Sequence, residues 1–199
     1  HGNKFEQLGT ILPTPNEQRT ASGAPGAKYW QQKADYKMEV TMDVKTYQYK
    51  GKQERVYTNN SNDTLKKVFY HLYNNAFQPG SEMDIRLQNI KDPDGRMVNK
   101  VKNADGKEIK ESRIAKLKPN EIGFLHISNF EQDGISSTIK EKGTILEVTL
   151  AKPILPKTST TFTLDFEGQV PVQIRRSGRN NNEGIELSRS EEHTSELQS

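Results

Sequence analysis

The sequence predicts a mostly β protein: a twisted antiparallel β-sandwich or saddle-like sheet with one short helix. Two patterns predict it. Apolar side chains alternate with polar ones in several separate runs, which is the period of a half-buried strand. Turn residues separate those runs at short intervals, and no strand–helix alternation asks for a parallel sheet.

Residues 1–34 read as an extended lead-in. Pro13, Pro15, Gly23, Pro25 and Gly26 punctuate it, and no period is sustained. Trp30 is the only tryptophan, and its large apolar face is expected to anchor this segment on the domain. The β domain is placed at 35–188. Tyr36, Met38, Val40, Met42 and Val44 alternate with Lys37, Glu39, Thr41 and Asp43, which predicts the first strand. Lys50-Gly51-Lys52 reads as a turn, and Gln53–Thr58 as the returning strand of a hairpin. Asn59–Asp63 is a polar turn whose side chains can bond their own backbone. Leu65–Tyr73 predicts another strand, with Val68, Tyr70 and Leu72 on one face.

Ser81–Asn89 predicts a short helix with Ser81 as its N-cap and Met83, Leu87 and Ile90 on one side. Asp94-Gly95 and Asp105-Gly106 are turns, and the charged stretch Lys100–Lys118 reads as a loop or an exposed edge ribbon. Strand signals return in Ile122, Phe124, His126, Ser128 and Phe130, then in Leu146, Val148 and Leu150, and last in Phe162, Leu164 and Phe166. Lys152-Pro153 and Leu155-Pro156-Lys157 punctuate the gap between the last two runs. About six or seven strands result. Their inward faces predict a core of Val40, Met42, Val44, Val68, Tyr70, Leu72, Phe124, Leu146, Val148, Leu150, Phe162, Leu164 and Phe166. From Gln173 the chain turns Arg-, Gly- and Asn-rich.

Composition bounds the function. Of 199 residues, 31% are hydrophobic and 28% charged, which is lean for a globular domain. A chain this long still buries about 70% of its unfolded surface, so a core without staples is feasible. The absence of cysteine excludes disulfide scaffolds and thiolate metal sites. No apolar run reaches the roughly 18 residues of a membrane span. The first residues carry no charged-then-apolar leader. The start at His1 fits a removed leader or a start inside a longer reading frame.

The segment 189–199 resembles the in-frame translation of a sequencing-library adapter, and is read as a non-native tail outside the fold. Setting aside its one Arg and three Glu leaves 28 basic against 23 acidic residues. On this reading the β domain is incomplete at its C-terminal end.

No familiar catalytic motif is present: no HExxH, no phosphate-binding loop, no GxSxG and no EF-hand loop. His71 and His126 fall in separate predicted strands and read as partly buried strand histidines, not as a metal pair. Asp165 and Glu167 sit two apart on one strand, a solvated face in place of a carboxylate pair for acid–base work. Arg175, Arg176 and Arg179 with Lys152 and Lys157 form a basic set. The aromatics are spoken for by the core, so no single-stranded nucleic acid is expected as a partner. The residues therefore assign no catalytic, substrate-binding or metal position.

Three strings carry a resemblance. They are Pro25-Gly26-Ala27-Lys28-Tyr29-Trp30-Gln31-Gln32-Lys33-Ala34-Asp35-Tyr36, then Val56–Leu65 running into Phe69-Tyr70-His71-Leu72-Tyr73-Asn74-Asn75-Ala76-Phe77, and Arg175–Ile185. In this order they resemble the N-terminal domain of bacterial aminopeptidase-N-like zinc metallopeptidases, peptidase family M-one. The resemblance implies a large, twisted, mostly antiparallel β domain that packs on a thermolysin-like catalytic domain further along the polypeptide and helps shape its substrate cleft. It implies a zinc in that catalytic domain, held by HExxH and a distant Glu, with the HExxH Glu activating a water. It implies a peptide substrate for the parent enzyme and export to the periplasm or cell surface. HExxH does not occur here, no position is assigned to the family's loop for the substrate's amino end, and its substrate-contacting Gln is expected beyond Ser188. No cofactor and no activity are thus expected of this chain alone. The competing reading is a stand-alone β-sandwich module for a glycan or protein partner.

Overall fold

A computed structural model describes residues 15–172, 174, 178–180 and 184–186. In chain order its elements are β1 (Lys33–Asp43), β2 (Gln48–Asn59), β3 (Leu65–His71), a 3-10 turn (Tyr73–Ala76), α1 (Glu82–Asn89), β4 (Val98–Lys102), β5 (Glu108–Ser112), β6 (Phe124–Gln132), β7 (Ile135–Ser136), β8 (Thr138–Lys142), β9 (Ile145–Ile154), β10 (Thr158–Gln169), β11 (Gly178–Asn180) and β12 (Gly184–Glu186). The larger sheet has the order β1-β2-β10-β6-β7, and a three-stranded sheet has the order β3-β9-β8. All strand pairs are antiparallel. The fold is mostly β with one short helix, as the alternation predicts.

The two sheets face each other across the main core. Tyr57, Ile127, Phe130, Phe162 and Leu164 come from the larger sheet, and Val68, Tyr70, Leu146, Val148 and Leu150 from the smaller. A second cluster of Leu87, Met97, Val98, Ile114 and Ile174 lies under α1 and the β4–β5 ribbon. That ribbon is a two-stranded sheet of its own over Val98–Ser112, where the sequence predicts a loop or an exposed edge ribbon over Lys100–Lys118. The twelve strands among the described residues exceed the six or seven expected. The short β7 and the charged β8 show no sustained alternation, and so gave no strand signal.

The first hairpin turns earlier than the sequence implies. Its loop is Val44–Tyr47: the Asp43 Oδ1 accepts from the Lys45 N–H at 2.8 Å, and Tyr47 takes φ 60°. Gly51, read as a turn residue, lies inside β2 opposite Val40 and Phe166. A Cβ there would stand 2.1 Å from the Glu39 carbonyl oxygen and 2.6 Å from the Phe166 ring. The glycine marks a close approach within a strand, and not a turn.

The expected core also needs correction at β1. Its alternation is present, but Val40 is 58% and Val44 66% exposed, and Met42 is half-buried. Val44 belongs to the turn. Val40 sits on an edge strand that the smaller sheet does not cover. Phe124 is only half-buried, because β6 changes face along its length. Ser128 pairs with Asp165 and Glu131 with Thr163, so β6 carries one extra residue. Asn129 takes φ 50° at this bulge. Ile127 is buried before it and Phe130 and Gln132 after it, so the period-two pattern breaks. Phe162 and Leu164 are buried as expected, and Asp165 points to the opposite face.

Two further boundaries shift. The strand read as Leu65–Tyr73 ends at His71. Pro153 lies inside β9, where the pairing with β3 slips between Leu65 and Lys67 and no regular ladder bond is lost. The helix is where the sequence puts it, with Ser81 Oγ accepting from the Asp84 N–H at 3.2 Å. Leu87 is buried, but Ile90 lies off the packed side and is exposed.

Candidate functional site

Three features of the larger sheet stand out, and β2 contributes to the first two. The first is a shallow concavity of about 460 Å³ on the outer face, lined by Lys37, Glu39, Lys52, Glu54, Asn129, Glu131, Thr163 and Asp165. Strand pairing arranges these charges as a mosaic. Glu39 stands opposite Lys52, and Lys52 opposite Asp165 on its other side; Lys37 stands opposite Glu54. Asn129 at the bulge donates to Asp165 Oδ2 at 2.7 Å. Opposite charges on neighbouring strands favour this face and keep it solvated. Two lysines and four carboxylates with no histidine among them make a polar surface, and no nucleophile–base pair is assembled there.

The second feature is Arg55, 1% exposed between the sheets. Its guanidinium carbon lies 4.6 Å from the Tyr70 ring centre, 5.4 Å from Tyr57, 5.5 Å from Phe162 and 5.7 Å from Tyr36. Nε and Nη2 have no hydrogen-bond partner among the described residues. The charge is held by aromatic faces, an interaction that strengthens when water is excluded. Sequence reading passed over this residue. The available signal was a charged side chain at the same parity as Tyr57 on β2.

The third feature is the inward side of β1, where Tyr36, Met38 and Val40 remain substantially exposed. They extend the apolar floor of the larger sheet past the rim of the smaller one.

The histidines do not meet. His71 on β3 stacks on Tyr73, with ring centres 5.1 Å apart. His126 on β6 places Nδ1 2.8 Å from Glu141 Oε1 on β8, at a solvated position. Among the described residues no three His, Asp or Glu side chains are grouped to hold a metal ion. Of the basic set, Arg175 and Arg176 lie outside the described residues. Arg179 stacks over Tyr47 at 4.4 Å and donates to the Asn120 carbonyl. Lys157 donates to the Asn60 carbonyl. Glu167 is exposed on β10.

Two buried titratable groups are structural. Burial pushes the Asp84 carboxyl up, but hydrogen bonds from Ser112, the Gly80 N–H and Gln88 outweigh it and hold the group below its ordinary value. Burial pushes the Tyr49 phenol up, partly offset by the Asn74 amide.

No protein-family model matches the chain, and no curated protein matches it. Among solved structures, the M1 zinc metallopeptidase from Deinococcus radiodurans overlaps 76% of this chain at 12% identity, with a TM-score of 0.41. A mutant of it bound to a Tyr-Ser-Ala substrate overlaps 74% at 12% identity and a TM-score of 0.41. A two-domain M1 zinc metallopeptidase mutant bound to L-tryptophan overlaps 73% at 11% identity and a TM-score of 0.39. The chain spans about a quarter of the length of these proteins, 22% to 25%. A likeness this loose assigns no residue and no activity here. Among the described residues no helix is long and apolar enough to cross a membrane.

Proposed function

We propose that this chain is the non-catalytic N-terminal β domain of a zinc-dependent aminopeptidase, which packs on a catalytic domain of the same polypeptide and helps shape its peptide cleft. The division follows the sequence reading: a lead-in over 1–34, the β domain over 35–188 and a non-native tail over 189–199. Zinc and the water-activating Glu belong to the catalytic domain, and the parent enzyme is exported.

One observation carries this reading. Two of the strings that bear the resemblance are stitched together in the fold. The Asn60 N–H donates to Gln32 Oε1 at 2.7 Å, Gln32 Nε2 donates to Asn59 Oδ1 at 3.2 Å, and Asn60 Nδ2 donates to the Gln31 carbonyl at 2.8 Å. The polar residues of both strings therefore have a joint structural task, which supports reading them as parts of one inherited element. The Arg175–Ile185 string lies largely outside the described residues.

The test has two arms. The reading frame of the source DNA is followed past Ser188, and both the whole gene product and this chain are assayed with an aminoacyl chromogenic substrate. A continuation with HExxH, chelator-sensitive release by the whole protein and none by this chain support the proposal. A stop codon within a few tens of residues overturns it in favour of a stand-alone binding module. Stoichiometric zinc on this chain, lost in His71→Ala or His126→Ala, overturns it as well.

A further inference from the structure

The uncovered edge of β1 is built as a self-complementary surface. β1 is an end strand of the larger sheet, and no strand among the described residues pairs with its outer side. It pairs with β2 over eleven residues without a bulge, from Lys33 opposite Thr58 to Asp43 opposite Gln48. It has no proline, and its inward side, Ala34, Tyr36, Met38, Val40 and Met42, carries no charge. Proteins usually blunt such edges with shortness, bulges, proline or an inward charge. The opposite end of this sheet follows that rule, since β7 has two residues. The end strand β8 of the other sheet is short too, at five residues. β1 is long, has no bulge or proline, and carries its charges, Lys33 and Lys37 among them, only on its outward side.

From this edge we infer that two copies of the chain pair through β1, antiparallel about a two-fold axis at Met38, to form one continuous ten-stranded sheet. The occupant is chosen by charge. Directly opposite residues in an antiparallel pair share a face. With Met38 opposite itself, Lys33 meets Asp43 of the second copy, Lys37 meets Glu39, and Asp35 meets Thr41. The symmetry repeats each contact. On the inward side Tyr36 meets Val40 and Ala34 meets Met42. Centring one residue earlier places Lys37 against itself and Asp35 against Glu39. Centring one residue later places Glu39 against itself and Asp35 against Asp43. Centring on Tyr36 also gives opposite-charge pairs, Lys33 with Glu39 and Asp35 with Lys37, but joins only residues 33–39, and centring on Val40 pairs Lys37 with Asp43 but joins only 37–43. The Met38 centre alone joins all eleven residues with no like-charge contact. The same pairing covers the exposed Met38 and Val40, because an isologous contact brings both apolar floors together. The inference is independent of the enzymatic reading, and each stands or falls by a separate test.

The test uses sedimentation velocity and oxidative cross-linking of the full chain. The parent protein is expected to double in mass with rising concentration and stop at the dimer. Met38→Lys places two ammonium groups at the axis and is expected to abolish the dimer. Lys33→Glu faces Asp43 at both ends and is expected to weaken it about tenfold, since each cross-strand pair is worth up to about 1 kcal/mol. Within its own chain Lys33 stands opposite uncharged Thr58 and pairs only with the solvated Asp35 at 2.7 Å, so the monomer is little affected. The chain has no cysteine, so a single introduced thiol reports geometry cleanly. Met38→Cys is expected to form a disulfide dimer readily, while Val40→Cys and the unrelated surface site Ile109→Cys are not, their partners lying beyond disulfide reach. A parent that remains monomeric at its highest soluble concentration overturns the inference. So does association that survives Met38→Lys, or cross-linking at Val40→Cys or Ile109→Cys as fast as at Met38→Cys.

Discussion

The guanidinium of Arg55 on β2 lies over the ring of Tyr70 on β3, 4.6 Å from its centre, and so joins the two sheets through a buried cation. A sandwich normally closes with aliphatic contact across this layer. Here a cation fills the space, with Tyr57 and Phe162 completing the aromatic surround.

That arrangement separates volume from charge. Arg55→Met keeps most of the volume and removes a buried cation whose Nε and Nη2 lack hydrogen-bond partners among the described residues. Replacing a buried charge by an apolar group of similar size is often neutral or stabilising. We expect Arg55→Met to stay within about 1 kcal/mol of the parent in urea unfolding, and Arg55→Ala to lose about 3 kcal/mol through the cavity it leaves. Equal losses in the two variants would show that the charge itself holds the sheets.

Asn59 closes the connection from one sheet to the other. It is fully buried, its Nδ2 donates to the Asp63, Ile154 and Leu155 carbonyls, and its Oδ1 accepts from the Ser61 hydroxyl at 2.6 Å. Asn59→Asp keeps the shape but turns the donor into a carboxylate facing three carbonyl oxygens. Unmade buried hydrogen bonds cost about 1–3 kcal/mol each. We expect Asn59→Ala to lose about 3 kcal/mol and Asn59→Asp to lose more, measured by denaturant midpoint. A loss from Asn59→Asp smaller than that from Asn59→Ala would contradict this assignment.

Gly51 and Gly168 admit no side chain. A Cβ on Gly168 would lie 2.4 Å from the Tyr49 ring, and one on Gly51 would meet backbone at Glu39. Backbone yields less readily than the end of a side chain. Gly51→Ala is therefore expected to cost about 2–3 kcal/mol, at the upper end of ordinary overpacking. Thermal unfolding of Gly51→Ala beside Gly95→Ala, a site with nothing within 4 Å, checks it.

Acid sensitivity should centre on Glu147. Hydrogen bonds from Lys142 at 2.8 Å and from Lys67 hold its carboxyl down at about 2, against an ordinary 4.5. A carboxyl lowered in the folded state binds its proton more readily when unfolded. Its contribution is thus present above about pH 4.5 and lost as pH falls toward 2. We expect the urea midpoint to drop across that interval, and Glu147→Gln to flatten part of the drop. Molar salt should shrink the difference, since both lysine partners are solvated. An acid limb unchanged in Glu147→Gln would refute this.

Much of this architecture is legible in the chain itself. Val68, Tyr70, Leu146, Val148, Leu150, Phe162 and Leu164 alternate cleanly, and each is buried. Ser81 caps the helix it was expected to cap, because capping is a local bond between near neighbours. What failed to be legible has a common cause. Gly51 looks like a turn residue until Phe166, far along the chain, is laid beside it. Phe124 looks inward until the bulge at Asn129 reverses the face of β6.

The sequence by itself determined the long alternating runs such as β3, β9 and β10, their apolar sides and the polar turn at Asn59–Asp63, because these depend on side-chain period and on bonds between residues a few positions apart. Only the tertiary structure decided which apolar sides are covered. Met38 and Leu164 carry equally good strand signals, yet Met38 lies on an end strand and is 48% exposed while Leu164 lies between two partners and is 5% exposed. Strand order sets that difference, and strand order comes from pairings between distant segments, such as β2 with β10, that no local pattern encodes.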